Sequence, residues 1–198
     1  MLKFSIRSFI TIFLLIGCIF FFANSVKAEE KRFSISIGGS YQITNLALNE
    51  DAVDWEGNSW GIFAKLGYRL SHTVFFQLDV DYIPEIEGVF KTDNSAKEEV
   101  EVLTGNFSLK GYLPNTTTLK PFVVAGFGIM HYDIDLNDEA KSLGYYLNFE
   151  DETSLCFKVG GGLDFFINQS AAIGAEANYT AGNDIGYYNF ILSAAFYF

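Results

Sequence analysis

Cysteine is almost missing from this sequence: Cys18 and Cys156 are the only two. Cys18 falls in an apolar leader, so the rest of the chain has one thiol and no internal disulfide. A small secreted scaffold held by disulfides is thereby excluded. Long apolar runs are missing after residue 23, so no later segment reads as a membrane-spanning helix. Positive charge is scarce, with 13 Lys and Arg against 24 Asp and Glu and a net charge of −11. Nucleic acid needs a basic surface against its phosphates, so such a partner is not expected. Histidine occurs only as His72 and His131.

What is present begins with a leader. Lys3 and Arg7 precede an apolar stretch from Phe9 to Ala23, and Val26-Lys27-Ala28 offers a cleavage site. This order is that of a secretory signal peptide over residues 1–28, with cleavage after Ser25 as the alternative. The apolar stretch is too short to span a bilayer as a helix. Leu15-Ile16-Gly17-Cys18 resembles a lipoprotein box, but Ile19-Phe20-Phe21-Phe22 continues the apolar region beyond it. Residues 29–198 are left as one domain.

Alternation dominates that domain. Eight segments of about ten residues place apolar side chains on one face and polar ones on the other, the length of strand that crosses a bilayer at a tilt. Trp60, Ile62, Ala64, Leu66, Tyr68 and Leu70 oppose Lys65 and Arg69; Phe76, Leu78 and Val80 oppose Gln77, Asp79 and Asp81. Lys110, Lys158, Asp164 and Glu176 fall on the polar rows of later strands. The fifth strand, Pro121 to Tyr132, is apolar on both faces; Val123, Ala125, Phe127 and Ile129 are expected outward. Short connections follow strands two, four and six. Longer ones at 46–59, 84–99 and 133–152 follow strands one, three and five. Only helices and closed barrels satisfy their backbones in hydrocarbon. The expected fold is all-β: an eight-stranded antiparallel up-and-down transmembrane β-barrel, both termini at the short-turn end.

The alternation alone fits a soluble ligand-carrying barrel turned inside out. Trp60, Tyr68, Tyr82, Tyr132, Tyr179, Tyr188, Phe196 and Phe198 gather near strand ends, where the aromatic girdles of a membrane barrel belong. Pro121-Phe122-Val123-Val124-Ala125-Gly126-Phe127-Gly128 and the terminal Ala195-Phe196-Tyr197-Phe198 resemble small outer-membrane barrels of the opacity-protein, OmpA and OmpX type. The resemblance implies export to the bacterial outer membrane, contact with outer-membrane lipid and lipopolysaccharide, and reading of Phe198 and Phe196 by the barrel-assembly machinery. It implies no cofactor.

Charge divides the same way. The four connections at the far end, 45–59, 84–99, 133–152 and 181–186, carry 17 acids and 3 lysines. The rest of residues 29–198 carries 7 acids and 7 bases. Lumen ion pairs among Lys65, Arg69, Asp79, Asp81, Lys110, Lys158, Asp164 and Glu176 are expected, because buried charges need partners. A three-residue turn at Ser71-His72-Thr73 sets Lys65 opposite Asp79 and Arg69 opposite Phe75. These charges serve either as structure or as a gate. Asp133 to Glu139 alternates acids but lacks the register of a calcium loop, and no metal site is assigned. A triad of His131, Ser154 and Glu152 is the one catalytic geometry available, and no enzyme activity is expected. The expected function is an anchored acidic surface for envelope integrity or recognition; the alternative is a narrow channel for small solutes or ions.

Overall fold

In hydrocarbon a strand cannot leave its backbone edges open, so alternating strands must close on themselves. The computed structural model shows that closure; it describes residues 31–46, 53–55, 58–90, 93–114, 117–136, 152–183 and 185–198. The leader, and the connections over 47–52, 137–151 and residue 184, lie outside the described residues. Eight long strands form the wall: β1 (Phe33–Leu46), β3 (Asn58–Arg69), β4 (Val74–Phe90), β5 (Asp93–Tyr112), β6 (Leu119–Leu136), β7 (Glu152–Asn168), β8 (Ala171–Ala181) and β9 (Ile185–Tyr197). A short β2 (Val53–Trp55) adds to the upper part of β4. All pairings are antiparallel, β1 joins β9, and β4 joins β5 to shut the ring.

Alternation sets the two faces. Outside stand Trp60 (72 % exposed), Leu192 (69 %) and Phe157 (67 %), with Val123, Phe127 and Ile129 on the expected side of β6. Gly38 and Gly128 face inward where the wall is tight. A Cβ there would strike the carbonyl oxygens of Leu192 and Gly105 respectively. The seam closes at the last residue, where Phe33 N donates to Phe198 O and Phe198 N to Phe33 O, both at 2.9 Å.

The turn at 71–73 keeps the required parity: Lys65 pairs with Asp79 and Arg69 with Phe75. Ser71 Oγ accepts from Thr73 N and Val74 N, which fixes the bend. At the other end the connection expected over 84–99 is largely strand. β4 and β5 continue as a protruding hairpin, with Glu87 opposite Glu99 and Val89 opposite Lys97. Pro84 sits where the register shifts between Ile83 and Ile86, a bulge that spares the missing donor. That is why a proline inside the segment did not end the strand.

Candidate functional site

Among the described residues the inward row lines the enclosed part of the barrel, and its chemistry changes twice along the axis. At the turn end Phe75, Tyr112, Phe166 and Tyr197 form a closed ring of contacts, with centroids 5.3–6.2 Å apart. The Tyr112 and Tyr197 hydroxyls meet across it at 3.1 Å. At the loop end Ile83, Ile86, Val100, Val102, Met130, Tyr132, Ile134, Cys156, Ile185 and Tyr187 make a buried apolar cluster.

Between these plugs lies a belt of charge. Lys158 Nζ is its hub, 3.0 Å from Asp79, 3.7 Å from Glu176 and 3.9 Å from Asp81. Lys65 Nζ reaches Glu176 at 2.6 Å and Lys110 Nζ reaches Asp164 at 2.5 Å. Neutral donors complete the carboxylates: Ser108 Oγ to Asp79, Asn178 Nδ2 to Glu176, and the Tyr112 hydroxyl to Asp164. A buried ion is costly unless opposite charge and hydrogen bonds surround it, and this belt supplies both. One cavity of about 10 Å³ lies beside Lys65, Gln77 and Asp164. That is room for about one water molecule.

Seven of the eight sequence-selected charges therefore meet, but not in the expected pairs. Lys65 and Asp79 are register neighbours, yet each bonds across the lumen, to Glu176 and Lys158. A small lumen lets long side chains find acids on facing strands more easily than beside them. Arg69 is the exception. It meets no carboxylate among the described residues, and its guanidinium lies 5.1 Å from the Phe75 ring. Phe198 and Phe196 are exposed on the outer wall.

Two further placements differ from the sequence reading. Tyr132 is buried in the upper plug instead of joining a girdle, because its parity is opposite to that of Ile129. His131 and Ser154 lie on opposite faces of the wall. His131 pairs in register with Thr153, its Nδ1 lies 2.9 Å from Thr153 Oγ1, and its Nε2 lies 3.2 Å from Asp133. Ser154 is buried inside. The triad is not assembled, and Asn137 to Glu139 lie outside the described residues.

The upper plug carries a signal that alternation alone hid. In Glu99-Val100-Glu101-Val102 the inward residues are apolar and the acids point out; in Thr104 to Lys110 the inward residues are polar and Phe107 and Leu109 point out. Parity holds while chemistry inverts. β6 repeats this: Met130 and Ile134 point in, with His131 and Asp133 outside. Below the inversion the wall faces an apolar medium; above it the wall faces water.

The comparisons agree with this geometry. A model of the outer membrane protein beta-barrel domain matches residues 13–198. Neisserial surface protein A is 14 % identical, with 84 % of this chain and 97 % of that one covered at a TM-score of 0.56. The outer membrane protein OprG of Pseudomonas aeruginosa is 12 % identical, covering 86 % and 97 % at 0.55. Ail, the attachment invasion locus protein of Yersinia pestis in complex with the heparin analogue sucrose octasulfate, is 15 % identical, covering 86 % and 100 % at 0.52. At these identities the likeness is one of fold. No curated protein matches the chain by sequence.

Proposed function

We propose, from the premise that this chain belongs to the outer membrane protein β-barrel domain family, that it is a closed anchor holding an acidic cap at the cell surface. Its location is the bacterial outer membrane. The cap serves recognition of a basic partner or envelope integrity, and the lumen serves the barrel's own stability. One observation carries this reading: two apolar plugs bracket a charge belt whose ions are bonded to one another. A hydrated solute would have to displace both plugs and break those pairs. An eight-stranded barrel is only wide enough for side chains to fill.

The sign of the cap narrows the partner. Ail was solved with a polyanion, sucrose octasulfate. The far-end connections of this chain carry 17 acids and 3 lysines, which disfavours a polyanion and favours a cationic surface. Lipopolysaccharide surrounds the outer half of the wall in this reading. In this reading the assembly machinery recognises β9 through Phe198 and Phe196, whose rings are exposed on the outer wall. No catalytic role belongs to it.

Planar-bilayer recording of the wild type and Lys65→Ala tests the closed lumen. The expected result is no unitary steps from either. Discrete steps in the wild type that Lys65→Ala alters would restore the gated channel. Binding of whole cells to cationic beads, with and without residues 137–151, tests the cap; equal binding would remove the recognition role.

A further inference from the structure

Two cations on the inward row stand at the turn-end mouth of the barrel, and neither has an acid. Strand alternation turns Arg69 and Lys120 toward the axis, while their neighbours Tyr68 and Leu119 are exposed on the outer wall. Segments 31–33, 69–75, 112–114, 117–122, 165–172 and 197–198 meet at this end. Their Lys and Arg residues are Lys31, Arg32, Arg69 and Lys120, and they contain no aspartate or glutamate. The first carboxylate further in is Asp164, already held by Lys110 and the Tyr112 hydroxyl. Glu29 and Glu30 precede Lys31 in sequence and lie outside the described residues.

The aromatic ring of the lower plug is the floor beneath these two side chains. Its contacts run from Phe75 to Tyr112, Phe166 and Tyr197 and back to Phe75, so Phe75 and Phe166 hold opposite corners. The Arg69 guanidinium lies 5.1 Å from the Phe75 centroid, and Lys120 Nζ lies 4.9 Å from that of Phe166. A cation therefore stands at each end of one diagonal, and the Tyr112 and Tyr197 hydroxyls meet along the other. Arg69 Nε is buried without a hydrogen-bond partner. Lys120 does not bond to its register partner Asp164. Ring faces orient a cation without cancelling its charge. A buried donor without an acceptor is costly, so the Arg69 corner gains by meeting one.

What this dish fits follows from its shape and its sign. It opens along the axis, toward the compartment at the turn end and away from the lipid around the wall. Its floor is closed by the four rings, so a ligand rests on it and does not pass through. A guanidinium presents a fork that matches a carboxylate. An aromatic floor suits an apolar group carried beside that carboxylate. A bare inorganic anion would meet the charges and leave the rings wet. A flexible chain with spaced carboxylates and an apolar side chain between them uses both. We propose that the turn-end mouth docks an acidic polypeptide segment, with one carboxylate on Arg69, another on Lys120 and an apolar side chain on the ring between them. With the acidic cap at the cell surface, the partner is a periplasmic one; only this choice of compartment rests on the function proposed above.

The test titrates the full barrel in phosphatidylcholine nanodiscs with the acetylated and amidated tripeptide Glu-Phe-Glu and follows backbone amide shifts by NMR. Saturable shifts are expected at residues 69–75, 120–122 and 166, and none at residues 99–102. The uncharged counterpart Gln-Phe-Gln is expected to bind about tenfold more weakly, as is Glu-Phe-Glu to Arg69→Gln with Lys120→Gln. Lys97→Gln, at the opposite end, is expected to leave the affinity unchanged. Salt at about 0.5 M is expected to weaken binding severalfold, as screening requires. No saturable shift, shifts confined to the loop end, or equal binding of the two peptides would overturn the proposal. Displacement of Glu-Phe-Glu by an equal concentration of inorganic phosphate would overturn it too, since the mouth would then be a site for any bare anion. Heat-modifiable migration shows that each variant is folded. If the double variant is not, Lys120→Gln alone carries the test, with binding weakened about threefold expected and an unchanged affinity overturning it. Nanodiscs expose both ends of the barrel, so failure here leaves the cap's binding to cationic beads untouched.

Discussion

Lys158 stands where three carboxylates converge, and its removal should cost more than that of any other lumen cation. Without it Asp79 and Asp81 have no ammonium within ion-pair distance among the described residues, and Glu176 keeps its pair with Lys65. Breaking a buried pair from one side typically costs about 3–5 kcal/mol. Lys158→Met should lose stability of that order in urea unfolding from lipid vesicles. Arg69→Gln, which breaks no ion pair, should cost less than about 1 kcal/mol by the same measurement. Equal losses would mean that the belt does not act as a bonded network. All eight charges could be picked from the sequence because they interrupt the polar rows. Their partners could not. Parity fixes which residues lie side by side on the wall, as it does for Lys65 and Asp79, but not which ends meet across the lumen.

At the scale of the strand, legibility followed the medium. Where hydrocarbon lies outside, one face must be apolar, and β3, β8 and β9 could be read residue by residue. β6 was harder, since Val124, Met130 and Tyr132 make its inner face apolar too. Gly126 and Gly128 on that face, with Val123, Phe127 and Ile129 on the other, settled its orientation. Phe127→Arg puts charge at the middle of the outer wall, between Phe107 and Phe157 in register. It should cost about 2–4 kcal/mol in the same unfolding assay, the depth-dependent cost of arginine against lipid. A neutral outcome would mean that water reaches that face. Beyond the membrane the pattern failed to announce itself as strand. Pro84 and the acids of 85–99 read as a loop, yet Val100 and Val102 still need an interior, and the hairpin continues to provide one.

The barrel of residues 31–198 is a closed wall with its lumen plugged at both ends. Charges enclosed in the lumen pair with one another, and on the protruding hairpin Glu99 and Glu101 point outward. The central claim is that the apolar row of every strand is bathed in lipid. Collision-accessibility measurements on spin labels placed singly at residues 189–196 of β9, in a Cys156→Ser background in bilayers, test it most directly. The account predicts that labels at 190, 192, 194 and 196 collide with dissolved oxygen, that those at 189, 191, 193 and 195 are shielded from oxygen and nickel alike, and that the alternation has a period of two. Nickel access at 190, 192 and 194, with oxygen favoured at the residues between, would contradict it and turn the barrel inside out.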